Sequence, residues 1–228
     1  FATYAAAEGY LASVTIDGKP YFYKSDDVIR EVASFDPVQV KNINTVNIAC
    51  GPGAKTAGTM AKASPGSEIK WPYSIGPMLT YLASCGSQSC EKLDVSKAKW
   101  FKISELGLRP NGTWIQEDAA RGFPITIRLP PTLRAGNYMA RVEMINLANA
   151  YTKDQGAQFF PYCVQLGVGG SQSGVPEKGE LVTFPGAYKA DDAGIYVPNL
   201  FGSQSAKNYT FPGGCLAKIA GGTCSSED

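Results

Sequence analysis

Six cysteines and the complete absence of histidine limit the chemistry that this chain can do. Without imidazole there is no Ser-His-Asp triad, no Cys-His nucleophile, and no histidine ligand for zinc, copper or iron. The cysteine spacings do not resemble a metal site, because Cys85 and Cys90 enclose a polar turn while Cys215 and Cys224 flank a glycine-rich segment. Three disulfides of a secreted protein are therefore expected, and fifteen pairings satisfy the cysteine count.

Other patterns that carry chemistry are incomplete. Adjacent acidic residues occur at 26–27, 117–118 and 191–192, and paired carboxylates are the catalytic groups of glycosidases. Acidic side chains lie mostly in solvent, so these pairs are expected on turns. The stretch at 53–56, Gly-Ala-Lys-Thr, lacks the glycine that directly precedes the lysine of a phosphate-binding loop.

Length and composition favour a folded extracellular protein. Of the 228 residues, 44% are hydrophobic and 18% are charged, which is enough apolar material for a core. The net charge of +1 gives no electrostatic basis for binding nucleic acid, and no apolar run reaches the ~18 residues of a membrane span. Asn111 and Asn208 begin glycosylation sequons, which agrees with secretion. We predict a monomer.

Short strands dominate the sequence pattern. The 25 glycines and 15 prolines separate apolar runs at spacings typical of a sandwich. The clearest alternation lies at 137–147, where one face is apolar and the other carries Arg141 and Glu143. The first strand ends in an Asp17-Gly18 turn. Strands are predicted at 11–16, 68–71, 78–84, 125–129, 137–147 and 162–168.

Helix is predicted in only two places, as a turn or two within 96–106 and a single turn at 117–121. The segments 19–45 and 170–214 are long connections, and connections of that length are usually functional or organised on the surface.

No repeat or linker divides the chain, so residues 8–228 are predicted to form one β-sandwich domain. Residues 1–7 end in three alanines before Glu8, as at a secretory cleavage site. We interpret residues 1–7 as a signal remnant, with an N-terminal arm of the mature protein as the alternative.

Together, several short segments resemble the auxiliary-activity family nine lytic polysaccharide monooxygenases of fungi. Each segment is weakly specific, but their shared order extends from Glu8 to about Pro212. The segments are Glu8-Gly9-Tyr10-Leu11, Asn47-Ile48-Ala49-Cys50, Gly76-Pro77-Met78-Leu79-Thr80-Tyr81-Leu82-Ala83, Trp100-Phe101-Lys102-Ile103, Asn111-Gly112-Thr113-Trp114, Ala135-Gly136-Asn137-Tyr138, Gly156-Ala157-Gln158, Phe184-Pro185-Gly186-Ala187-Tyr188 and Tyr209-Thr210-Phe211-Pro212-Gly213.

The resemblance implies an all-β fold, an immunoglobulin-like antiparallel β-sandwich with long surface loops and little helix. It also implies which cysteines pair. Two bridges follow from the family pattern and the third by elimination: Cys50 with Cys163, Cys85 with Cys90, and Cys215 with Cys224.

In the resembled family a histidine brace holds copper, with an axial tyrosine. The first histidine aligns with Glu8, or with Phe1 if the alternative start is read, and the second aligns with Ser74. The axial tyrosine is replaced by Phe160, and only Gln158 is retained from the pocket. Serine is a poor copper ligand and phenylalanine has no donor atom, so we expect no copper and no enzymatic activity.

Three hypotheses follow. The first is a secreted, non-catalytic, monooxygenase-like protein that weakly binds cell-wall polysaccharide such as cellulose or hemicellulose. Tyr209 aligns with the family's flat-surface tyrosine and is the main candidate for sugar contact, with Tyr73 as a second candidate. The second is an extracellular structural or partner-binding protein that binds no glycan. The third is an enzyme with new chemistry, such as hydrolysis by a carboxylate pair.

Overall fold

The protein is two packed β-sheets, as seen in a computed structural model that describes residues 11, 13–71, 76–86, 89–120, 125–153, 155–200 and 209–224. One sheet has four strands and the other has seven. The predicted all-β sandwich is therefore confirmed.

Eleven strands and two short α-helices make up the regular structure of the described residues. The strands are β1 (Ser13–Ile16), β2 (Lys19–Phe22), β3 (Val38–Gln39), β4 (Ala61–Ala63), β5 (Glu68–Trp71), β6 (Met78–Ser84), β7 (Trp100–Leu106), β8 (Ile125–Arg128), β9 (Gly136–Asn146), β10 (Gln158–Val168) and β11 (Leu181–Val182). The four-stranded sheet has the order β2-β1-β5-β8, and the seven-stranded sheet has the order β11-β7-β6-β9-β10-β3, with β4 beside β10. Among these described strands, only β4 and β10 form a parallel pair. The helices are α1 (Asn47–Cys50) and α2 (Gln116–Ala120). Single 3-10 turns lie at Val40–Asn42, Cys90–Lys92, Lys178–Glu180 and Lys218–Ala220.

The small sheet begins with the predicted hairpin. Asp17 and Gly18 have φ values of 49° and 77°, and they connect β1 to β2 with Ile16 opposite Lys19. A two-residue turn with positive φ at both positions matches the right-handed twist of the strands it joins. The Asp17-Gly18 dipeptide therefore predicted this turn correctly.

The large sheet is centred on β9 and β10, which have eleven residues each and pair along their whole length from Gln158 opposite Asn146 to Val168 opposite Gly136. Next to them, β6 begins at a tight approach, because a Cβ at Gly76 would lie 2.0 Å from the carbonyl oxygen of Ile145. The glycine of the Gly-Pro motif thus lets β6 enter the sheet beside β9.

One predicted element is wrong. The helical turn expected within 96–106 is strand β7, which pairs with β6 and β11. Trp100 and Phe101 are consecutive and both buried, because β7 has packed layers on both of its faces. A strand buried on both faces loses the alternation by which a strand is recognised. The single helical turn predicted at 117–121 is found as α2.

The inner face of the large sheet packs against the small sheet and is apolar. Its buried side chains alternate along each strand, as with Tyr138, Ala140, Val142 and Met144 of β9. The predicted apolar face of this strand is therefore the centre of the sandwich.

The outer face of the large sheet is covered by loops rather than solvent. Arg141 and Glu143 lie on this face, as predicted from the alternation, but both are fully buried, at 0% exposure. Arg141 forms an ion pair with Glu143, and its Nε and Nη2 donate to the carbonyl oxygen of Ile48 at 3.1 and 2.8 Å. The hydroxyl of Tyr188 donates to Glu143.

Burial raises the pKa of the Glu143 carboxyl against the opposing effect of Arg141, and it also raises the pKa of Tyr188. Lys102, buried on the same face, donates to the carbonyl oxygens of Pro212 and Gly214 at 2.8 and 2.5 Å. Through these hydrogen bonds the buried charged side chains hold α1, the loop with Tyr188 and the loop with Pro212 against the large sheet.

Three disulfides add covalent ties: Cys50 to Cys163, Cys85 to Cys90 and Cys215 to Cys224. These are the pairings that the resemblance implies, and no cysteine is free. Among the described residues, no helix has the length and apolar character needed to cross a bilayer. The predicted division into 1–7 and 8–228 stays a prediction, since residues 1–7 lie outside the described residues.

Candidate functional site

Two of the predicted site residues lie at the start of β10. Phe160 is buried, at 4% exposure, and packs into the inner apolar layer. Gln158, two residues earlier and half-buried, lies opposite Asn146, whose Nδ2 donates to Gln158 Oε1 at 3.4 Å. The sheet therefore places the retained pocket residue at a strand end, with Phe160 inside the core.

Other predicted positions lie outside the described residues. Glu8, Tyr73, Ser74 and Asn208 fall in this group, and their proposed roles stay predictions. Asn111 is described and exposed, in a turn where its Oδ1 accepts a hydrogen bond from Thr113 Oγ1 at 2.8 Å. Its predicted glycosylation also stays a prediction.

Tyr209, the predicted glycan contact, is part of an aromatic cluster. Its ring meets Trp114 at a centroid distance of 5.3 Å and 83° and meets Phe211 at 5.3 Å and 84°. Its hydroxyl donates to the carbonyl oxygen of Gly194 at 2.6 Å, and burial raises its pKa. The ring is half-buried, so the molecule fixes its orientation and already uses its hydroxyl.

The residues that orient Tyr209 were not among the predicted site residues. Trp114 and Phe211 are both partly buried against the outer core and are separated by almost a hundred residues. No spacing rule predicts contact between such distant rings, and the family resemblance placed them only in two separate segments.

The acidic pairs have structural partners instead of a shared site. Asp26 and Asp27 accept hydrogen bonds from the backbone N–H groups of Phe22 at 2.5 Å and Gly58 at 2.8 Å. Asp118 forms an ion pair with Arg109. These carboxylates hold turns, which is the interpretation that the sequence favoured.

Known proteins similar to this chain are named for one activity. The chain is 34% identical to "AA9 family lytic polysaccharide monooxygenase D" of Gloeophyllum trabeum, over 99% of this chain and 68% of that protein. It is 34% identical to "AA9 family lytic polysaccharide monooxygenase A" of Geotrichum candidum, over 93% of this chain and 77% of that protein. The extended catalytic domain of H. jecorina LPMO9A superposes with a TM-score of 0.80 at 27% identity, covering 91% of this chain and 90% of that one.

These relatives overturn two expectations. We expected a protein that is not an enzyme and takes no copper, and both expectations are wrong, because the similar proteins are named AA9 family lytic polysaccharide monooxygenases, and such monooxygenases are copper-dependent enzymes. The expectations depended on a few ligand positions, of which Glu8 and Ser74 lie outside the described residues. The similarity, in contrast, extends over nearly the whole chain.

The described residues nevertheless do not fit a histidine-ligated copper. The chain has no histidine, and Phe160 presents only ring carbon where the resembled family has a tyrosine. All six cysteines are in disulfides, and the described part contains no group of three or more acidic, cysteine or histidine residues that could hold a metal. Any copper on this chain therefore has donors other than imidazole.

The fold, the order of the motifs and the similar proteins all lead to one family. The family model AA9, Auxiliary Activity family 9 (formerly GH61), matches residues 8–209, which is most of the chain. The matched region includes all eleven strands described above. The chain therefore belongs to Auxiliary Activity family 9 (formerly GH61).

Proposed function

We propose that this protein is secreted and binds cell-wall polysaccharide as a monomer, through the loops that cover the outer face of the large sheet. The observation that carries this proposal is the fixed orientation of Tyr209 between Trp114 and Phe211. An aromatic ring already held in place loses little conformational freedom when a sugar contacts it. The polysaccharide named in the titles of the relatives gives the ligand class.

The geometry indicates how Tyr209 would contact a sugar. Its hydroxyl is occupied by Gly194, so the contact uses the exposed part of the ring and not the phenolic oxygen. Apolar contact with a ring depends on the aromatic surface and is retained in phenylalanine. The hydroxyl and the ring therefore have separable roles.

We also propose that this member of the family has no histidine brace. The absence of histidine from the sequence and the hydrocarbon side chain of Phe160 support this proposal. Mass spectrometry of the secreted protein tests it by identifying the mature N-terminus. We expect a mature N-terminal residue other than histidine, and a mature protein that begins with histidine would contradict the proposal.

Retention on insoluble cellulose and xylan tests the proposed function. We expect weak retention of the unmodified protein, loss of retention in Tyr209→Ala, and retention close to normal in Tyr209→Phe. Val175→Ala is the matched control, because Val175 is an exposed apolar residue outside this cluster.

Equal retention of all variants would remove the role of Tyr209. No retention of the unmodified protein on either polysaccharide would favour a structural or partner-binding protein instead.

A further inference from the structure

A cleft of about 800 Å³ lies beside the outer core, between the segment after β3, the loop before β10 and residues 188–190. Ile43 and Tyr188 form part of its wall and belong to the buried outer layer. Gln158, the retained pocket residue, also lines it. The cleft thus begins at the start of β10, where the family resemblance placed a pocket residue.

Among the described residues, every charged side chain that lines this cleft is a lysine. Three exposed lysines line it, Lys41, Lys153 and Lys189, and no acidic residue is among its lining residues in the described part of the chain. None of the three lysines forms an ion pair with a described carboxylate. The nearby Asp192 carboxylate accepts a hydrogen bond from the backbone N–H of Lys189, at 2.9 Å. Like charges that converge on a concave surface attract an anion.

The rest of the lining suits a sugar. Amide side chains can donate hydrogen bonds to hydroxyl groups and accept hydrogen bonds from them. Five described residues with amide side chains line the cleft. Gln158 accepts from Asn146 through Oε1, while its Nε2 makes no hydrogen bond to a described residue. The amide residues are Gln39, Asn44, Asn149, Gln155 and Gln158.

The walls are held in place before any ligand arrives. Gln39 pairs with Gln158 through the β3–β10 ladder, and Tyr188 is fixed by its hydrogen bond to Glu143. The ring of Tyr188 also stacks on Phe159 at 5.4 Å and 27°. A cleft with anchored walls needs less ordering on binding than a flexible loop does.

We propose that this cleft binds a carboxylate-bearing sugar, a uronate unit of an acidic polysaccharide. The inference rests on the proposed polysaccharide-binding function and specifies the ligand class. The lysine ammonium groups contact the carboxylate, and the amide groups contact the hydroxyls. A neutral sugar would use the amides but would gain no electrostatic attraction from the three ammonium groups.

Titration calorimetry with trigalacturonate and with cellotriose, at low salt, tests the inference. We expect trigalacturonate to bind about tenfold more tightly, and raising NaCl from about 20 mM to about 500 mM to remove most of this preference. The substitutions Lys41→Gln and Lys189→Gln should each weaken the binding of trigalacturonate about threefold, which is the effect typical of one exposed charge pair. Cellotriose binding should change little in these variants.

Lys62→Gln is the matched control. Lys62 is exposed on β4 and pairs with Gly167 near the far end of β10, roughly 30 Å from Gln158 along the strand. This variant should bind both sugars normally. An equal response of all three lysine variants would show nonspecific charge attraction and overturn the assignment of the cleft.

The outcomes separate the inference from the function on which it rests. Retention on cellulose that depends on Tyr209, without any preference for trigalacturonate, would overturn the inference and leave the proposed function. Trigalacturonate binding that depends on the cleft lysines, without retention on either insoluble polysaccharide, would support the cleft and contradict the proposed role of Tyr209 in binding cellulose and xylan.

Discussion

The two faces of the large sheet are equally buried but are built from different side chains. The inner face packs hydrocarbon against the small sheet, as with Leu166 and Phe160 of β10. The outer face buries Arg141, Glu143 and Lys102 under loops. Both proposed sugar contacts, Tyr209 and the cleft beside Tyr188, lie in the outer layer. The inner face holds the two sheets together, while the outer face positions loops.

The difference has a physical basis. A loop carries many backbone carbonyls that no strand pairs with, and buried polar groups need partners. Arg141 supplies donors to α1, and Lys102 supplies donors to the segment around Pro212. Apolar side chains cannot satisfy these carbonyls. The buried charges therefore set where the loops rest, and the loops carry the proposed binding surface.

The largest effect is expected from Arg141→Met. The substitution leaves the Glu143 carboxylate buried without its cation and removes both donors to Ile48. Breaking a buried pair from one side costs about 3–5 kcal/mol. Urea denaturation followed by fluorescence should show this loss in the free energy of unfolding.

The double variant Arg141→Met/Glu143→Leu is the control for that experiment. It removes both charges, so it should lose less stability than the single variant. A double variant that is less stable than Arg141→Met would mean that the pair is not the source of the effect.

Leu166→Ala tests the inner face. Leu166 is fully buried on β10, and its removal creates a cavity among hydrocarbon side chains. We expect a loss of about 3 kcal/mol in the free energy of unfolding, with polysaccharide retention unchanged at a temperature where the variant is folded. Loss of retention in this folded variant would show that the two faces are not separate in function.

Tyr81→Phe should have the smallest effect of the three. Tyr81 is buried on the outer face, and its hydroxyl donates to the carbonyl oxygens of Gly213 at 3.1 Å and Pro212 at 3.3 Å. Lys102 still donates to Pro212 in the variant. We expect a loss of about 1 kcal/mol by thermal denaturation, and an unchanged melting temperature would mean that Lys102 alone holds this segment.

The inner face of the large sheet is predictable from sequence, because the alternation of apolar and polar residues along a strand identifies the face that is buried. The Asp17-Gly18 turn and the apolar face of β9 follow from local residues. Strand β7 does not, because Trp100 and Phe101 enter opposite buried layers.

The outer layer depends on contacts between distant residues. Nothing near Tyr209 in sequence indicates that its hydroxyl reaches Gly194, and nothing near Lys41 indicates that it shares a cleft with Lys189. Exposed lysines are common on any surface, so only the fold shows that these converge. The family resemblance predicted the class of protein correctly, while the missing ligand residues led to a wrong expectation about enzymatic activity and cofactor.

Hydrogen–deuterium exchange with and without soluble cello- or xylo-oligosaccharide tests most directly whether the outer-face loops bind polysaccharide. Peptides that cover Gly194 and the segment from Tyr209 to Gly214 should exchange more slowly when oligosaccharide is present. Peptides from the β1–β2 hairpin, in the small sheet, should exchange at the same rate in both conditions. Slower exchange confined to that hairpin, or no change in the outer-face loops at saturating oligosaccharide, would contradict the account.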